Sequence, residues 1–521
     1  MLNHSQSCGD ATRTLRVLLK SLLVLFCSGL VIAASQALSH AESNKAHFNF
    51  KEVVIGTIPS GSRLGGVKVS PDNDHVAYAV ERGTNWAVAL DGREIGVYQA
   101  VYDFLFSPDS QHFTFIGKNG PGAFSVRDGK AGPTFCVIGL QCEAFSPDSQ
   151  HFAYIARPES NWVVVLDGVP QKPYDRIGKA GVVFSPDSRH LAYPVMSNKD
   201  CFMVVDGKEG VRADGMGPLR FSADGQHVGY VVPKGDNFLV VIDEKPTEYL
   251  EVVTNGVIFS PNGKRNVYAA AVESGKLGIY LDGKRTSEFQ TISTGGLLFS
   301  PDSKHIAVAG QRAKQWWVEL DGKSSGPYTG IMGNSLLFSP DSSHFAFAAE
   351  RTNQWFVVTD GHETPAYEGI VQDSLVFSPD SRRLAFLAGR SGKDLLVVNG
   401  EESLAKGAYK VSFSPDSAHF AYVTGVGTNW QAAIDGKALD RSYQGIALRP
   451  FLFSPDSQHL WYVAVRGGKF ILVVEGQESA VYDQVFLDPA ESSTFKPFQI
   501  LALKSVEGKE RELVRVVAER Q

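Results

Sequence analysis

The chain has 521 residues, 43% hydrophobic and 20% charged, the balance of a globular protein long enough for more than one core. Its net charge of −6 excludes a general nucleic-acid binder, because neutralising phosphates takes a basic surface. Five cysteines are too few for a disulfide scaffold, and 51 glycines suit a fold with many tight turns.

The first element is an export signal. Arg13, Arg16 and Lys20 precede an apolar run from Ser21 to Ala34, and small residues follow at Ser39 and Ala41. This order predicts a cleaved signal peptide over 1-41 and a periplasmic or secreted protein. The run is about 14 residues, short of the roughly 20 that cross a bilayer as a helix. An uncleaved anchor is the alternative. Phe26 before Cys27 is too bulky for lipoprotein processing.

From residue 48 the chain repeats. Anchor serines fall at Ser70, Ser107, Ser146, Ser185, Ser222, Ser260, Ser300, Ser339, Ser378, Ser414 and Ser454, in steps of 36 to 40 residues. Most lie in FSPDS followed by a basic residue, as at Phe106, Phe145, Phe184, Phe299 and Phe338. An Asp-Gly pair follows the anchor by 21 residues in most copies, from Asp91 to Asp435, and Phe486-Leu487-Asp488-Pro489 opens a degraded twelfth unit. Within a unit the apolar runs are strand-length. Gly181–Ser185 precedes the PDS turn, His190–Val195 follows it, and Cys201–Val205 leads to Asp206-Gly207. Both residues of that pair tolerate the positive φ of a type I′ hairpin. A fourth strand carries a Tyr-x-x-Ile mark, as from Tyr174 to Ile177 and Tyr443 to Ile446. Four antiparallel strands repeated without helices predict an all-β fold, a β-propeller of about twelve blades.

The unit resembles the TolB-type, WD-like propeller repeat, whose FSPDG core recurs in bacterial periplasmic propellers and in the propellers of prolyl-oligopeptidase-like enzymes. The resemblance spans nearly all of residues 48–516. Most copies read FSPDS where the family more often ends in Asp-Gly, a departure expected to be without effect. The resemblance implies the fold and a role like that of the Tol system's propeller, a non-enzymatic protein that binds a protein or peptide. The family's enzymes add a hydrolase domain, for which no room is left here.

Single propellers usually have four to eight blades, so twelve units suggest two rings. Val53–Gly56 reads as a fourth strand with no unit before it, and the last unit stops after its third strand near Val517. Dividing the chain after Asp282-Gly283 gives a first β-propeller over 48-283 and a second over 284-521, each closed by its own N-terminal strand. Seven plus five blades, or one large ring, are the alternatives.

No catalytic constellation emerges, and no cofactor or metal is expected. Nine histidines, from His75 to His459, stand five residues after an anchor, with Arg265 and Arg383 in two copies. Since arginine replaces histidine there, the expected role is a local bond to the aspartate two residues after the anchor, which would fix the turn. Gly322–Gly326 fits GxSxG literally but follows a hairpin and not a strand-to-helix elbow. Trp86, Trp162, Trp316, Trp355 and Trp430, with Phe202, Phe238 and Phe470, recur before the third strand and suggest packing between blades. Cys136 and Cys142 either pair or stay free.

Function is expected where copies differ, on the face of the second-to-third loops and the between-blade connections. Arg82, Arg157, Lys199, Lys234, Arg312, Arg351, Arg390 and Arg466 stand there, either as solvated hairpin charges or as a ring of donors for an acidic protein segment or anionic glycan. A propeller enzyme or binder acting on a polysaccharide or peptide is the second reading.

Overall fold

Each repeat folds into one antiparallel sheet whose strands lie side by side in chain order. The computed structural model describes residues 46–521 except 179–180, 216, 250–255, 273–274, 448–451, 487–497 and 507–509. The predicted export signal lies outside the described residues. Blade 1 is typical, with strands Leu64–Val69, Val76–Arg82, Asn85–Leu90 and Arg93–Tyr98. Second and third strands are sandwiched between neighbouring blades, so they read as near-continuous apolar runs: Phe345–Arg351 is buried over its first five residues. Fourth strands form the outer edge and are polar, as Glu401–Leu404 is exposed throughout.

Twelve such sheets make a twelve-bladed β-propeller. The last is completed from both regions of the chain: Gln484–Phe486, Gln499–Ser505 and Arg511–Arg520 are joined by Phe48–Ile58 as the fourth strand. Glu52 fastens it, accepting from the Tyr482 hydroxyl at 2.8 Å and from Lys504 Nζ at 2.5 Å. Burial raises the Glu52 pKa, but these donors outweigh it and leave the carboxyl below its ordinary value.

The structure does not show the tandem six-bladed division. Lys284–Phe289, which would have to leave the sixth sheet, stays paired to Leu277–Leu281 within it. Val267 and Ile279 of blade 6 pack with Leu297 and Val308 of blade 7, as at every other described junction. Ile58, Leu501 and Leu513 of blade 12 pack on Val76 and Tyr78 of blade 1. Residues 51–517 are accordingly one compact unit; in the remaining unit, the Gln521 N–H donates to the His47 carbonyl at 2.8 Å.

Turn chemistry explains the repeat. In the first ten blades the buried anchor serine donates to the side chain two residues on, at 2.5–2.8 Å. The same hydroxyl accepts the N–H five residues on at 2.9–3.0 Å, so the buried serine hydroxyl both donates and accepts.

The histidine beside this turn has a different partner from the one expected. The Asp two residues after the anchor is already occupied, and the histidine Nδ1 lies 2.6–2.8 Å from the Asp that opens the third-to-fourth-strand hairpin sixteen residues later. Arg265 makes the same bond to Asp282 through Nε at 3.1 Å. Both hairpin residues have positive φ, 50° at Asp91 and 79° at Gly92, as a type I′ turn requires. The Tyr-x-x-Ile mark is also reassigned. Tyr443 ends a fourth strand, while Ile446 already belongs to the first strand of the next blade, Gly445–Ile446.

The serine that ends FSPDS has an effect after all. It sits at φ 61–67° in eight blades, and its hydroxyl accepts the backbone N–H of the Asp or Asn in the preceding blade at 2.9–3.1 Å. Glycine in that place would lose the bond between blades.

Candidate functional site

On the turn face the recurring charges are committed. The His190 ring, held by Asp206, also stacks on Phe221 of the next blade with centroids 6.4 Å apart. Arg265 and Arg383 lie over Phe299 and Phe413 in the equivalent places. A flat side chain with a nitrogen that bonds its neighbours and a face that covers the ring of the next blade is what the position selects.

The eight basic residues of the opposite face divide into two sets. Arg82, Arg351 and Arg466 pair with Glu94, Glu363 and Glu478 on the fourth strand of their own blade, with closest approaches of 2.9, 2.9 and 2.5 Å. Arg390 pairs with Glu402 in the same way. Arg351, Arg390 and Arg466 also lie over Tyr328, Tyr367 and Tyr443, the tyrosines of the crossover mark, at 5.2–5.3 Å. Arg312 pairs with buried Glu319 and donates from Nε to the Glu288 carbonyl at 2.9 Å.

In these four Glu pairs the carboxylate is twelve residues after the arginine. Twelve residues after Arg157, Lys199 and Lys234 stand Val169, Val211 and Pro246. Arg157 lies over the Trp162 ring at 5.3 Å, while exposed Lys199 and Lys234 have no ion pair among the described residues. The basic residues with no carboxylate at that offset therefore fall on the consecutive blades 3, 4 and 5, and the two with no partner among the described residues, Lys199 and Lys234, on blades 4 and 5.

The inner first strands carry two further charged residues that no motif marks, Glu143 and Arg220. Three places before the anchor serine, ten copies hold Val, Leu or Phe, and blade 3 holds Glu143. Both Glu143 carboxylate oxygens are buried without a hydrogen-bond partner. Burial, and then the negative Asp103 of blade 2, push its pKa well above the ordinary 4.5. Two places before the anchor, most copies are apolar, whereas blade 5 holds Arg220 and blade 1 holds Lys68. A comparison of each repeat position across copies finds both.

Arg220 opens on a cleft of about 500 Å³, walled by Ile258 and Leu277 of blade 6 and by Thr291–Leu297 of blade 7. In that first strand the register shifts between Ile292 and Leu297, so residues 293–296 leave the ladder. Gly296 is required there, since a Cβ would lie 2.8 Å from the Ala309 and Ser293 carbonyl oxygens.

The other candidates resolve into structure. Trp162, Trp316, Trp355 and Trp430 pack against the apolar clusters of the following blades. Ser324 of the GxSxG string lies on a fourth strand and donates to Glu319 at 3.1 Å. Cys136, Cys142 and Cys201 are free thiols.

No protein-family model matches the chain, and no curated protein matches it. Among solved structures it is similar to a eukaryotic initiation factor, at 13% identity and TM-score 0.34, over 64% of this chain and 96% of that one. It is similar to TolB from Acinetobacter baumannii at 15% identity and TM-score 0.23, over 43% of this chain and 62% of that one. The β-propeller domain of the trilobed protease from Pyrococcus furiosus matches at 15% identity and TM-score 0.25, over 51% of this chain and 97% of that one. Likeness at this level concerns the propeller fold alone.

Proposed function

We propose that this chain is an exported, non-enzymatic binding protein that captures an acidic segment of a protein or peptide on its second-to-third loop face. The supporting observation is the sorting of its basic residues. Blades 1, 8, 9 and 11 cancel the loop arginine with a carboxylate of the same blade, whereas blades 3, 4 and 5 supply none at that place. A cation already held by a carboxylate offers a partner little, and an unpaired one attracts an acidic segment across a Debye length.

Residues 1–41 would direct export, and N-terminal sequencing of the exported protein should begin at Glu42. Capture from a periplasmic or secreted fraction tests the binding reading. Lys199→Glu with Lys234→Glu should abolish capture, and Arg82→Glu should leave it intact. Equal capture by all three proteins would remove the basic sector from the account.

A further inference from the structure

The cleft at Arg220 has two unlike halves. One is a guanidinium that is exposed and, among the described residues, without a hydrogen bond, ion pair or ring contact. Thr291, Ser293 and Thr294 also line the cleft, and the backbone of 293–296 is outside the strand ladder. The aliphatic lining comes from half-buried Ile258 and from the edges of Leu277 and Leu297, which are otherwise buried. An arginine where most sister blades have an aliphatic residue is not demanded by the fold, because those blades close without it.

One guanidinium matches one carboxylate, which it grips through two parallel N–H bonds. The aliphatic wall adjoins the charge, so the ligand must carry an apolar group close to its carboxylate. A chain terminus has that arrangement, with the carboxylate and the last side chain on a single Cα. An isolated phosphate has no apolar arm, and an internal Asp or Glu has its carboxylate at the end of its own side chain. We propose that the Arg220 cleft binds the free C-terminal carboxylate of a peptide whose last residue is aliphatic. This rests on the reading of the protein as a binder of protein segments and assigns a second contact point for them.

The full-length exported protein is titrated against fluorescein-labelled Ala-Ala-Ala-Leu with a free C-terminus, the same peptide amidated, and Ala-Ala-Ala-Asp. The free leucine acid should bind saturably, and amidation or a terminal Asp should weaken it by roughly tenfold or more. Arg220→Leu, which installs the residue that blades 2, 7, 8 and 11 hold there, should weaken the acid to the level of the amide. Arg220→Lys, keeping charge without the fork, should fall between. Equal binding of acid and amide, wild-type affinity in Arg220→Leu, or no saturable binding of any peptide would overturn the proposal. Partner capture by Arg220→Leu is measured alongside: capture retained with no peptide bound sinks the cleft alone, whereas capture insensitive to Lys199→Glu and Lys234→Glu sinks the loop-face reading.

Discussion

The Asn262 backbone N–H donates to the Ser303 hydroxyl at 2.9 Å and so ties blade 6 to blade 7. The same bond joins Asp109 to Ser149 and Asp380 to Ser417. A junction between two separate rings would have no use for it. Ser303→Ala keeps the Cβ and the φ of 67° while deleting the acceptor. It should lower stability by about 0.5–1.5 kcal/mol, read as a reduced denaturant midpoint at unchanged slope. A midpoint equal to wild type would show that the bond contributes nothing.

His190→Ala removes both the 2.6 Å bond to Asp206 and the stack on Phe221. It should cost roughly 1 kcal/mol, since the pair is partly exposed. His190→Arg should be nearly neutral, because Arg265 already fills that role in blade 6. Equal losses in the two variants would refute the clamp.

Arg312 and Arg82 look alike in the sequence and should behave differently. Arg312→Leu strands Glu319, whose side chain is 8% exposed, and should destabilise by about 3 kcal/mol. Arg82→Leu breaks an exposed pair with Glu94 and should stay within about 0.5 kcal/mol. Chemical denaturation of the two variants side by side decides the matter.

Glu143 and the turn aspartates give opposite pH dependences. Glu143 titrates above its ordinary 4.5 in the fold, so its contribution is fully present below that pH and is lost as pH rises through the folded value. Asp109, Asp148 and Asp380 are held below 3.8 by bonds from their anchor serines and neighbouring backbone; burial opposes this and is the largest influence only at Asp109. Their contribution is present above 3.8 and is lost as pH falls through the lowered values. Glu143→Leu should therefore stabilise by about 1–3 kcal/mol at neutral pH, with the gain shrinking toward pH 4. A gain that does not vary with pH would mean that the carboxyl is not the cause.

Strand order, the hairpin turns and the twelve blades were legible because each follows from spacing and turn chemistry within some forty residues. Ring closure was not, because Lys284–Phe289 reads the same whether it pairs with Leu277–Leu281 or leaves for another sheet. The histidine's carboxylate was misplaced because two aspartates stand within reach, and the nearer one is taken by the anchor serine. The pairing of Arg351 with Glu363 was open to view as a twelve-residue offset, but only once the second-to-fourth-strand relation is known. Glu143 and Arg220 carry no motif and stand out only against their sister copies.

Two glycines break the serine lacing between blades. Gly225 and Gly263 replace the accepting serine, and a Cβ on either would come within 2.3 Å of the Asp187 or Asp224 carboxylate. At the first junction an exposed bond from Gln226 to Asp187, 3.0 Å long, stands in; at the second none is described. Blade 5, which holds Arg220 and Lys234, thus has a glycine in place of the lacing serine at both of its seams. The seam between blades 5 and 6, whose residues Arg220, Ile258 and Leu277 line the cleft, therefore relies on apolar packing and on the His227 stack over Phe259 where most other seams add a serine bond.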